Sequence, residues 1–414
     1  MSTPELFGDS MLNKATSQPS PLSSRRLFLT GAIGLTLGNL LSGCARQNGQ
    51  TLSIQVLNGS IPLQVIAEFR KHLKQTSTAG TLEIGLETQL QKLFEALQSW
   101  KRSAQTKTPT ANPFGWVPLI NKPTVVPDLV TLGDYWLDKA IQQGLIQPFN
   151  PQHLPGWEQL PQPWQDLVTR TSPTGAGDRV WGMPYRWGST VIAYRQDIFK
   201  EKGLPLPTDW SDLWRSDLRG HISLLDQPRE VIGLTLKKLG QSYNTANLNA
   251  VPNLKAELAA LNRQVKFYSS DAYLQPLLLG DTWLAVGWST DILPLMQRVQ
   301  TIAAVVPQSG TALWSDLWVR PATAPSEISA LAADWVRFCW QPDIASQLSL
   351  LSHAASPMVV TTDPSKLPAA LRQNSVLLPA ASVQKASEFL KPLDPAAIKQ
   401  YQATWKSLRQ VVAG

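Results

Sequence analysis

The 414-residue chain reads as an α/β protein with largely parallel sheets, folded as two lobes. Strand-like runs alternate with helical periodicity along nearly its whole length. Setting aside an N-terminal export segment leaves about 360 residues, more than one core of ordinary size. Cysteine is nearly absent: Cys44 and Cys339 stand alone, which excludes a disulfide framework and a Cys-rich metal site. A hydrophobic fraction of 43% fits a folded protein, while 16% charged residues is low for a cytosolic enzyme.

The elements follow in order. SSRRLFLTGAIGLTLGNLLSGC carries the pair Arg25 and Arg26, a mildly apolar run from Leu27 to Leu41, and LSGC ending at Cys44. The run is short and rich in Gly and Thr, unlike a spanning helix. Small residues before a Cys mark lipoprotein processing, so Cys44 is expected to become a lipidated N-terminus. TLSIQVLN (51–58) alternates as an opening strand. Helical spacing follows over 62–73 and again in ETQLQKLFEALQSW, where Leu90, Leu93, Leu97 and Trp100 share a face. The Pro- and Thr-rich stretch 103–127 reads as a loop, DLVTLG as a buried strand, and DYWLDKAIQQGLI as a helix ending at Gly144.

DRVWGMPYRWGSTVIAYRQD reads as two strand-like runs around Pro184, and LPLPTDWSDLW as a turn into a short helix. LLDQPREVIGLTLKKLG (224–240) is a strand end running into a helix. Helical spacing then continues through Leu261, and TWLAVGWSTDILPLMQRV reads strand–turn–helix. AAVVP and ALWSDLWVRP supply two more strands, SALAADWVRFCWQPDIASQLSLL is an amphipathic helical hairpin with Cys339 as a core thiol, and the last fifty residues are mainly helical.

The formal charge of +7 falls to +6 without residues 1–44, which hold Lys14, Arg25 and Arg26 against Glu5 and Asp9. Lys and Arg are scattered, and an exported body argues against a nucleic-acid partner; a loosely basic surface suits anionic lipid. His72, His153, His221 and His353 are dispersed, with no His-Glu-x-x-His or Gly-x-Ser-x-Gly element. GAGDRVWG lacks a P-loop Lys. A non-enzyme without cofactor or metal is expected.

DLVTLGDYWLDKAIQQGLIQPFN, VWGMPYRWGSTVIAYRQDIF, DWSDLW, LLDQPREVIGLTLKKLGQSYNT, LAVGWSTD and ALWSDLWVRPATAP occur in the order found in bacterial spermidine/putrescine-binding proteins, and over most of residues 51–360 the chain resembles that family. The resemblance implies a type II periplasmic binding fold: two α/β lobes joined by crossing strands, with a ligand cleft between them. It implies a receptor on the periplasmic side of a bacterial membrane, delivering a polyamine or other cationic amine to ABC permease subunits. The expected layout is a twin-arginine signal peptide over 1–43 and a lipidated tether over 44–50. One lobe then takes 51–188 and 306–365, a second takes 189–305, and helices over 366–414 pack on the lobes. Crossings are expected near 187–189 and 305–308. A binding-fold lipoprotein acting as sensor or assembly factor, or a receptor for an amino acid or anion, is the alternative.

Carried over position by position, the family's ligand residues correspond to Ser60, Tyr135, Gln227, Glu230, Trp288, Asp291, Trp314 and Asp316. The pattern also departs. LNGSIP follows the first strand without the family's aromatics, Gln227 replaces an acid, and a tyrosine expected late in the first lobe falls at Ala354. Glu230 has a second explanation: with Pro228 at the first helical position and Gln227 as cap, a third-position Glu can close a capping box. Asp226 reads as a turn or capping residue, and Asp291 suits an ordinary helix start. Arg186, Arg195 and Arg229 offer internal partners for the acids.

Overall fold

In the computed structural model, residues 50–76, 80–105 and 126–410 are described. The expected signal peptide, lipid acceptor Cys44 and tether up to residue 49 lie outside them, as does most of the loop expected over 103–127. One eleven-stranded mixed sheet organises the described residues. Its main path runs Gly80–Glu87, Gln50–Leu57, Leu129–Gly133, Ala312–Pro321, Met183–Arg195, Leu284–Trp288, Ile222–Leu224, Val265–Tyr268.

At each end the pairings are parallel, as the alternation of strands and helices implies. At the middle they are antiparallel, which corrects the expectation of largely parallel sheets. The chain passes from one half of the sheet to the other and later returns, so the strands at the seam must run in opposite directions.

Met183–Arg195 makes the passage. Met183–Ser189 pairs with Ala312–Pro321, whereas Thr190–Tyr194 pairs with Leu284–Trp288, so the partner changes between Ser189 and Thr190. The strand is buried along nearly its whole length, as a central strand requires, and Pro184 does not break it. The register shifts opposite, between Asp316 and Leu317, where a missing N–H is tolerated. The two runs expected around Pro184 are thus the single strand Met183–Arg195, preceded by Asp178–Val180.

Buried apolar side chains form two clusters. The larger is built on the opening strand, the helices Leu63–Gln75 and Leu90–Gln105, and the hairpin Ala330–Cys339 and Pro342–Ser352. In Leu90–Gln105 it takes Leu93, Leu97 and Trp100 of the expected stripe and adds Phe94, while Leu90 is only partly buried. The smaller surrounds the helix Pro228–Lys238 and takes Tyr401 and Leu408 from the C-terminal helix Pro395–Gln410. Ile292 and Leu293 of the helix Ser289–Arg298 pack into the larger cluster, knitting the seam. Cys339 is buried, as a core thiol.

Candidate ligand cleft

On the partner-changing strand, Arg186, Gly188 and Thr190 share one face because alternate residues of a strand point the same way. Across from them, register places Asp316 opposite Arg186 and Trp314 opposite Gly188. This row joins two polar clusters.

The first lies on the larger half of the sheet. Arg186 donates from Nε to Asp316 Oδ2 at 2.7 Å and from Nη2 to the same oxygen at 2.7 Å, with both side chains buried. Arg186 also reaches the Ser352 carbonyl and stacks 5.8 Å from the Trp314 ring centre. Asp316 is therefore neutralised inside the fold, the internal pairing weighed above, and it remains at the edge of the row. Burial still pushes its carboxyl up, opposed by Arg186.

Asp134 stands beside it, on the short helix Asp134–Trp136 that follows Leu129–Gly133. Burial pushes its carboxyl up to about 7, against the Ser315 and Tyr135 backbone N–H groups, and the Asp316 charge adds to the rise. Tyr185 donates or accepts a 3.0 Å bond with Thr131 and stacks on Trp318 at 4.2 Å. Ser60 is fully buried against this phenol.

Glu230 anchors the second cluster. The helix Pro228–Lys238 begins as expected, with Gln227 as cap and Pro228 first, but Gln227 makes no side-chain capping bond and is itself exposed. No capping box forms, so Glu230 is not held by the helix end. It is 7% exposed, with Thr190 and Trp288 beside it, and its Oε2 has no hydrogen-bond partner. Burial pushes the carboxyl up to about 7, opposed by those two neighbours and by the Arg229 charge. Arg229 spends its guanidinium elsewhere: Nη1 on the Lys391 carbonyl at 3.0 Å, Nη2 on Asn244 Oδ1 at 3.0 Å, and its plane 5.3 Å from the Tyr401 ring centre. Arg195 is bonded to Asp197. Glu230 has no ion pair among the described residues.

Trp288 ends the strand Leu284–Trp288, half-buried and edge-on to Tyr273. The Tyr273 hydroxyl donates to Asp291 Oδ2 at 2.7 Å and accepts from the Trp288 backbone N–H at 3.2 Å, which fixes both residues. Asp291 is exposed, as is Asp226, whose carboxylate lies 3.9 Å from Arg409. Tyr135 is 73% exposed and edge-on to Trp136.

Gly188 lets the clusters meet. A Cβ there would lie 2.4 Å from Trp314 and 2.6 Å from the Ser289 hydroxyl, the first residue of the helix after Trp288. Gly188→Ala is accordingly expected to displace Trp314, lower stability by about 1–3 kcal/mol and weaken ligand binding. Thermal unfolding and titration of the variant check this.

The sequence pattern did not single out Asp134, Thr190, Tyr273 or His353 as site residues. Asp134 precedes the Tyr135 that it selected, at the end of a buried strand, which was the available signal. Thr190 lies in an apolar run without one. Ala354, the position of the expected tyrosine, is fully buried. Its neighbour His353 takes a left-handed backbone (φ 56°), feels the Arg186 and Arg298 charges, and is held below its ordinary pKa chiefly by burial.

Two α/β halves joined through an antiparallel seam, with polar residues gathered along it, are the architecture of the type II periplasmic binding proteins. Residues 125–381 match the bacterial extracellular solute-binding protein family, and the chain belongs to it. It is 29% identical over 222 residues to the spermidine/putrescine-binding periplasmic protein of Escherichia coli (strain K12), a match spanning 54% of this chain and 61% of that protein, less than two thirds of its length. It is 25% identical over 302 residues to the putrescine-binding periplasmic protein PotF of the same organism, spanning 68% and 78%. Among solved structures, the spermidine/putrescine ABC transporter substrate-binding protein PotD from Streptococcus pneumoniae aligns with a TM-score of 0.70 at 19% identity, over 87% of this chain and 99% of that one. The TpPotD lipoprotein of Treponema pallidum aligns at 0.62 and 16%, over 87% and 99%. These structural likenesses support the shared fold.

Proposed function

We propose that this solute-binding protein is a lipid-anchored receptor that captures a polyamine or similar cationic amine outside the cytoplasmic membrane and delivers it to an ABC importer. One observation carries the reading: Glu230, a buried carboxylate with a free Oε2 and no ion pair among the described residues, flanked by Trp288. An ammonium group would supply the missing donor and charge, and indole faces suit a methylene chain with cation–π attraction. Glu230, Asp134 and Asp291 exceed the free basic groups nearby, because Arg186 is spent on Asp316 and Arg229 on carbonyls and Asn244. In this reading Ser60, Tyr135 and Gln227 line the rim or floor, and Asp316 orders Arg186 and Trp314.

The functional lobes are residues 51–188 with 306–365, and 189–305, and they close over the amine because each contributes contacts. Helices over 366–414 steady them. Export by the twin-arginine route and lipidation at Cys44 place the body on the periplasmic side. Solute capture requires no chemical step, cofactor or metal. That the relatives above are spermidine/putrescine- and putrescine-binding proteins supports the amine class.

The pH dependence follows from the carboxylates. Asp134 and Glu230, each pushed up to about 7, are neutral below that pH and anionic above it, while aliphatic amines stay cationic to about pH 10. Putrescine affinity is expected to rise between pH 6 and pH 8, by up to about tenfold per coupled carboxylate. Calorimetric titration across that range checks it, and a flat or falling profile contradicts it.

The lost aromatics around LNGSIP and the buried Ala354 favour one second reading, a binding-fold lipoprotein that no longer feeds a transporter. Thermal unfolding with putrescine, spermidine, amino acids, sugars and anions separates the two. A polyamine-specific rise in midpoint supports the receptor, a rise with another class replaces the ligand, and no rise across the panel supports the second reading.

A further inference from the structure

Three carboxylates stand along the row of the partner-changing strand, and one of them already has its cation. Glu230 lies at the Thr190 end with an unpartnered Oε2. Asp316 and Asp134 lie at the Arg186 end, because register sets Asp316 opposite both Arg186 and Gly133, the residue before Asp134. Four residues, about 13 Å of strand, separate Arg186 from Thr190, and Trp314 lies between them over Gly188.

Arg186 does at its end what an ammonium of the ligand would do. Its guanidinium meets Asp316 through Nε and Nη2, each at 2.7 Å, and donates to the Ser352 carbonyl at 3.3 Å. It also lies 5.8 Å from the Trp314 ring centre. A charged donor on a carboxylate beside an indole is the arrangement that the amine reading assigns to the ligand at Glu230 and Trp288. Arg186 is 5% exposed and Asp316 1%, so solvent screens the pair little. Asp134 forms no ion pair among the described residues, since Arg170 is bonded to Asp138. Asp291 is exposed and tied to Tyr273. Glu230 and Asp134 thus remain for a ligand.

We propose that Arg186 is a built-in cation that sets how many positive charges the ligand carries: the cleft takes a diamine, with its ammonium groups at Glu230 and Asp134, and discriminates against a triamine. A third ammonium would enter the cleft beside the Arg186 charge and without a free carboxylate, and an unpaired desolvated cation is costly. The inference rests on the amine reading and adds Arg186 to it as the residue that determines specificity.

Calorimetric titration of the full-length chain at pH 8 with putrescine and spermidine tests it. The parent is expected to bind putrescine at least about tenfold more tightly than spermidine. Arg186→Gln keeps a donor on Asp316 and removes the charge, so the ratio of spermidine to putrescine affinity should rise at least about tenfold. Arg186→Lys keeps the charge and should hold the parent ratio. Arg186→Gln with Asp316→Asn removes the acid as well, and the ratio should fall back toward the parent's, a dependence that a packing role for Arg186 would not produce. Should Arg186→Gln be too unstable to titrate, thermal unfolding makes the same comparison, with spermidine raising its midpoint more than putrescine does. A parent that prefers spermidine, or an Arg186→Gln ratio equal to the parent's, overturns the proposal and leaves the amine reading standing. Binding of neither amine by the parent overturns that reading, and the proposal with it.

Discussion

Glu230→Gln is expected to weaken polyamine binding by about 3 kcal/mol, roughly a hundredfold in Kd, while leaving the fold intact. The substitution keeps the shape of the side chain and removes only the charge that an ammonium would meet. The ligand-free protein should respond in the opposite sense. Burial raises the folded-state pKa of Glu230 from 4.5 to about 7, so the folded state holds this proton more tightly than the unfolded chain does. The advantage is present below about pH 4.5 and is lost as pH rises to about 7, a loss on the order of 3 kcal/mol. At pH 8 the Gln variant should therefore unfold at a higher temperature than the parent, and at pH 4 the difference should vanish. A variant that loses both stability and binding would mean that Glu230 is structural. Unchanged binding would remove it from the site.

The second large effect concerns the pair that the ligand does not need to neutralise. Arg186→Leu leaves the Asp316 carboxylate buried without its cation, and Asp316→Leu does the converse to Arg186. Each is expected to destabilise by about 3–5 kcal/mol, whereas the double substitution should recover most of that loss. Denaturant unfolding of the two single variants and the double variant measures the coupling. Near-additive losses would mean that the pair contributes through its packing against Trp314 and Ser352 rather than through charge.

Local sequence carries structure only within single elements of this fold. The stripe Leu93, Leu97 and Trp100, the strand ALWSDLWVRP and the hairpin around Gln341 were legible because periodicity and Pro positions act within one element. The strand Gly80–Glu87 was not read, since glycines at 80 and 85 interrupt its alternation. Pro184 suggested a break, yet a register shift on the partner strand absorbs it, and that partner lies over 130 residues away.

At the site, the acid types were legible and their partners were not. Whether Asp316 faces a ligand or Arg186 depends on a cross-strand register that no local pattern encodes. Whether Glu230 caps its helix depends on Thr190 and Trp288, which come from other strands. Asp134 escaped notice because Tyr135 beside it matched a pattern, although the tyrosine is the exposed member of the two.

The most direct test of the central claim is calorimetric titration of the full-length chain at pH 8 with putrescine, spermidine and 1,4-butanediol, the diol being the neutral counterpart of putrescine. A cleft built around an unpaired buried carboxylate predicts saturable binding of at least one of the amines and none of the diol. Absence of binding by both amines, or equal binding of the diol, would contradict the claim that this cleft receives a cationic amine.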